Sequence, residues 1–87
     1  MKINVRFFGS VAQKAGENNV RMEYPEHITL QKALKQVFKT YGLGAIGSFG
    51  DVDIGYMRIY VNGRRVPIDT MLKDGDEISL LSPIAGG

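Results

Sequence analysis

One stretch of this chain, and only one, has the pattern of a helix long enough to cover a sheet. Thr29 is a good N-cap, and Leu30, Ala33, Leu34, Val37, Phe38 and Tyr41 follow it at the i, i+3, i+4, i+7 spacing of a single apolar stripe. Lys32, Lys35, Gln36 and Lys39 take the other side, and Gly42 stands where a left-handed C-cap is wanted. A chain of 87 residues supports one domain with one core, so the rest of that core must come from strands packed under this helix.

The strands are legible from their two-residue period. Between Lys2 and Phe8, Ile3, Val5 and Phe7 share one face while Lys2, Asn4 and Arg6 share the other. Ser10 to Ala15 suits a short helical turn ended by Gly16, after which Asn18-Asn19 opens a second strand with Val20, Met22 and Tyr24 on one face and Pro25 as its stop. These two strands are expected to pair antiparallel across a connection longer than a two-residue hairpin. A glycine-rich loop from Leu43 to Gly55 leads into Met57–Val61, then the hairpin signal Asn62-Gly63, then a short strand at Arg64–Pro67. Asp74-Gly75 marks a further turn before a last strand at Glu77–Leu81, and Pro83 prevents further ladder pairing.

The order strand, strand, helix, strand, short strand, strand predicts an α+β roll with a mixed sheet of four to five strands. Placing the first and last strands side by side at the centre gives the β-grasp, or ubiquitin-like, arrangement. A single covering helix favours it over a split β-α-β fold. Residues 1–81 form the domain and 82–87 a flexible tail.

Composition removes whole classes of chemistry. With no cysteine there are no disulfides, thiolate metal sites or thiol nucleophiles, and a net charge of +2 is too weak to argue for nucleic acid. The opening MKINVRFF lacks the apolar run of a signal peptide or membrane span, so a cytoplasmic protein without a membrane partner is expected. Gly42 to Gly47 matches G-x-G-x-x-G but follows a helix rather than a strand, which points to a loop and not to a nucleotide site. Asp51 and Asp53 lack calcium-loop spacing, and His27 stands alone, so no metal is expected. Arg64 and Arg65 read as solvated edge charges, with steering of an acidic partner as the alternative.

Two features remain unexplained by a core. Phe8, Tyr60 and Leu81 are apolar residues on the strand faces opposite the core series, and they form one exposed patch if the first, third and last strands are neighbours. The bland alternative has Phe8 tucked under the Ser10–Ala15 turn. The second feature is the ending LLSPIAGG, whose Gly86 and Gly87 are the costliest residues to hold in order.

The opening KINVRFFGSVAQKAG, the VNG hairpin, the ending DGDEISLLSPIAGG and the length together resemble the MoaD/ThiS family of ubiquitin-like sulfur carriers. The resemblance spans the chain, is most specific in its final stretch, and is nearest to the branch that supplies molybdopterin synthase with its small subunit. It implies a cosubstrate with its catalytic groups in partners, rather than an enzyme alone. A MoeB-like, ubiquitin-activating-type enzyme would use ATP to adenylate the Gly87 carboxylate, and a persulfide would convert it to a thiocarboxylate. A MoaE-like large subunit would then receive the sulfur for molybdopterin. No cofactor is bound by the chain itself. Gly87 carries the sulfur, and Gly86, lacking a side chain, lets a narrow tunnel close on the backbone. Pro83, Ile84 and Ala85 join Phe8, Tyr60 and Leu81 as partner-binding residues. The tail can span roughly 20 Å at about 3.3 Å per residue.

The same tail suits a ubiquitin-like modifier joined through Gly87 to lysines such as Lys14, Lys32, Lys35, Lys39 or Lys73, and equally a carrier for thiamine or tRNA thiolation. A plain β-grasp binding module, with an accidental Gly-Gly ending, is the reading from another class.

Overall fold

The computed structural model describes residues 1–43 and 58–81. The chain runs through β1 (Lys2–Phe7), α1 (Gly9–Ala15), β2 (Asn19–Glu23), α2 (Leu30–Tyr41), β3 (Arg58–Val61) and β4 (Glu77–Leu81). The four strands lie in the order β2-β1-β4-β3. Strand β1 pairs antiparallel with β2 and parallel with β4, which in turn pairs antiparallel with β3. The first and last strands therefore meet at the centre, as the β-grasp reading expects. A parallel pair needs a long crossover, and the chain between β1 and β4 supplies it.

The core lies between the sheet and α2. Val5 stands opposite Ile78 and Phe7 opposite Leu80, while Ile59 and Val61 continue those rows on β3. Leu30, Ala33, Leu34, Val37 and Phe38 close over them, and all are buried in the same apolar cluster. The ring of Tyr41 meets that of Phe7 at 5.4 Å, so the helical stripe extends to its last residue. Both expected caps of α2 form. Thr29 Oγ1 accepts from the Lys32 N–H at 3.3 Å, and Gly42, at φ 64°, donates to the Phe38 carbonyl.

Local boundaries differ from the sequence reading in three places. Strand β1 ends at Phe7, because Phe8 already serves as the N-cap residue of α1. Strand β2 ends at Glu23, while Tyr24 turns into the core. The third strand begins at Arg58, with Met57 outside the described residues.

The larger correction concerns Arg64–Pro67, which is not a strand. Asn62 (φ 53°) and Gly63 (φ 81°) are both left-handed, the geometry of a tight primed turn, and Val61 and Arg64 exchange bonds of 2.8 and 3.0 Å. Pairing stops there, at an isolated bridge. The following chain has other duties: the carbonyls of Ile68 and Thr70 accept from the N–H groups of Gln31 and Leu30, and the Ile28 carbonyl accepts from Leu72. First-turn donors of α2 that have no partner within the helix are thereby satisfied. The sheet has four strands among the described residues, not five.

Tyr24 ties β2 to the helix. Its hydroxyl donates to the Ala33 carbonyl at 3.0 Å, and burial, with a smaller contribution from Tyr41, pushes its pKa up from 10.0 to about 12. Below pH 10 the phenol is protonated in both states and contributes no pH dependence. Between 10 and 12 the unfolded phenol ionises while the folded one holds its proton, so stability falls with rising pH, by at most about 3 kcal/mol. Urea midpoints across this range will show that decline, and Tyr24→Phe will flatten it; an equally steep decline in the variant would assign it elsewhere.

Candidate functional site

The sheet face away from α2 is where the out-of-phase residues meet. Cross-strand register places Tyr60 opposite Ser79 and Arg58 opposite Leu81, while Arg6 lies opposite Ser79 from the other side. Phe8, Tyr60, Ser79, Leu81 and Gly63 line one shallow groove. Phe8 is 36% exposed, whereas Tyr60 and Leu81 are half-buried.

Phe8 is fixed by its backbone rather than by burial. Its N–H donates to the Leu80 carbonyl at 3.0 Å, extending the β1–β4 ladder by one bond, and its own carbonyl accepts from Val11 at 3.2 Å. It therefore stands at the hinge between strand and helix with its ring at the surface. Val11, not Phe8, is the residue that α1 buries. The Arg6 guanidinium lies over the Phe8 ring, 5.0 Å from its centroid, within the range of a cation–π contact.

Of the residues singled out from sequence, Phe8, Tyr60 and Leu81 meet in this one groove. Pro83, Ile84, Ala85, Gly86 and Gly87 lie outside the described residues, as do Asp51, Asp53 and the G-x-G-x-x-G match beyond Leu43. Leu81 is a groove residue and the last of β4, so the groove includes the residue that immediately precedes residues 82–87 in sequence. Ser79, Gly63, Arg6 and Arg58 were not singled out from sequence. The signal was available for three of them: Arg6, Arg58 and Ser79 precede Phe8, Tyr60 and Leu81 by two residues and so share their face.

The described residues offer little for acid–base or metal chemistry. No polar or charged residue among them is buried, and none of their His, Asp and Glu side chains gather in a group of three able to hold a metal ion. His27 is exposed, with a left-handed φ of 63°. No helix among them is long and apolar enough to cross a membrane.

Against known proteins, the model of the ThiS family matches residues 5–87, and this chain belongs to that family. It is a ubiquitin-like protein of the sulfur-carrier and modifier class. Small archaeal modifier protein 3 of Haloferax volcanii is 29% identical over the full length of both chains. A Pyrococcus furiosus protein provisionally assigned as molybdopterin converting factor subunit 1 is 30% identical, with 97% of this chain and 99% of that one covered and a TM-score of 0.81. Subunit 1 of the Helicobacter pylori molybdopterin-converting factor, solved in complex with subunit 2, is 31% identical over all of both chains, with a TM-score of 0.61.

Proposed function

We propose that this chain is a sulfur carrier for molybdopterin synthesis, acting through the Gly87 carboxylate. Ionised at neutral pH, a carboxylate is a poor electrophile until it bears a leaving group. Attack of that carboxylate on the α-phosphorus of ATP, in an adenylating partner, releases pyrophosphate and forms an acyl adenylate. A persulfide then attacks the acyl carbon and expels AMP. A thiol of the partner cleaves the resulting acyl disulfide, taking one sulfur into a new disulfide and leaving the thiocarboxylate on Gly87. In a large-subunit partner the thiocarboxylate sulfur bonds to the pterin precursor, and water then attacks the acyl carbon, breaking its bond to that sulfur and regenerating the carboxylate.

The single observation that carries this reading is the groove of Phe8, Tyr60 and Leu81 at the root of residues 82–87. A partner gripping that groove holds the domain while the tail reaches its active site. Likeness to the Helicobacter pylori subunit, whose structure contains a second subunit, supports a large-subunit partner here. Such a protein is a cosubstrate of the cytoplasm, where ATP and persulfide donors are at hand.

A second reading, conjugation to lysines, is favoured by the full-length likeness to the Haloferax modifier. Intact-mass measurement after incubation with an adenylating enzyme, ATP and a sulfur donor separates the two. A carrier gains the difference between one sulfur and one oxygen atom, while a modifier yields branched lysine adducts. An unchanged mass for a protein whose adenylation is demonstrated would remove the sulfur reading.

A further inference from the structure

The groove has a charge pattern that an apolar docking patch does not require. Arg6 on β1 and Arg58 on β3 flank it from opposite sides, each directly across from a lining residue of β4, where opposed side chains stand about 5 Å apart at Cβ. Both arginines are exposed, and no carboxylate among the described residues pairs with either. The acids of this face stand toward its other end. Glu23 faces Lys2, and Glu77 faces Asn4, accepting from its Nδ2 at 3.1 Å. Arg58 is four residues along the ladder from Glu77, roughly 13 Å at about 3.3 Å per residue, beyond a Debye length of about 8 Å. Arg6 is nearer to Glu77 but is drawn over the Phe8 ring. Held within cation–π range of that ring, the exposed guanidinium keeps its charge and its forked donors, which suit a carboxylate.

We propose that Arg6 and Arg58 make this groove selective for an apolar anchor flanked by carboxylates on the adenylating partner. The inference rests on the sulfur-carrier and modifier reading, because it assigns the partner that both share. An apolar groove between two cations favours a protein surface over a phosphate backbone, which would leave Phe8, Tyr60 and Leu81 uncovered. Attraction between such rims acts mainly on encounter and weakens with salt.

The test is ATP–pyrophosphate exchange with the adenylating enzyme of the same genome, comparing wild type, Arg6→Glu, Arg58→Glu and Lys2→Glu. Lys2 is an exposed base at the far end of the same face. Arg6→Glu and Arg58→Glu are expected to raise KM for the chain about tenfold or more at low salt, with kcat unchanged, and the gap closes as salt screens it. Lys2→Glu shifts KM less than about twofold. Arg6→Gln and Arg58→Gln, which remove charge without reversing it, fall between. Equal effects at all three positions, or a KM that ignores salt, would overturn the proposal. So would arginine-dependent binding of a tRNA transcript to this face at physiological salt. Absence of any exchange by wild type removes the activation reading itself, whereas exchange with KM unchanged in the arginine variants removes this inference alone.

Discussion

One alanine added after Gly87 is expected to abolish adenylation while leaving the thermal unfolding of the domain where it was. The extension moves the terminal carboxylate by one residue, about 3.5 Å, and sets a methyl group beside an α-carbon that a close-fitting tunnel must pass. Misplacing a reacting group by 1 Å can cost about a hundredfold, so a loss of more than about a thousandfold in exchange rate follows. Every residue of the described core lies at or before Leu80, so the fold has no part in the loss. Exchange within tenfold of wild type would show that the terminus is not the reacting group, and a plain binding module would then be the better account.

The second large effect separates two neighbours on β4. Leu80 is fully buried and Leu81 half-buried on the opposite face. Leu80→Ala should cost about 2–5 kcal/mol of stability, as expected for an emptied core site in a well-packed interior. Leu81→Ala should leave most stability intact and instead weaken partner binding about 10- to 100-fold, as for a residue near the centre of an interface. Phe8→Ala and Tyr60→Ala should behave like Leu81→Ala, with Phe8→Ala also releasing Arg6 from its ring. Calorimetric titration of the large subunit or the adenylating enzyme, with urea melts alongside, checks both halves. Unchanged affinity in all three variants would dispose of the docking surface.

Much of this was legible because it is local. The alternation in β1 and the Thr29 and Gly42 caps of α2 are decided by neighbours within a few residues, and the structure returns them at the expected positions. The failure at Arg64–Pro67 has the opposite origin. Asn62-Gly63 does form its turn, but the chain beyond it is claimed by the first-turn N–H groups of a helix that began 34 positions before Arg64. No window around Arg64 contains that demand. The site shows the same division. Phe8, Tyr60 and Leu81 stand out as apolar residues on the wrong phase, whereas Ser79 and the two arginines are unremarkable until the register places them beside one groove.

The parallel course of β1 and β4 has a practical consequence. Both strands leave the sheet at the same end, so Met1 sits at the far pole from Leu81, about 20 Å away along a strand of six residues. The amino group of Met1 donates to the Tyr24 carbonyl at 2.8 Å, and an amide N–H in its place keeps that bond. Dyes, affinity handles or surface linkers attached upstream of Met1 should leave the groove open to visitors, and the same cargo fused behind Gly87 should silence the molecule.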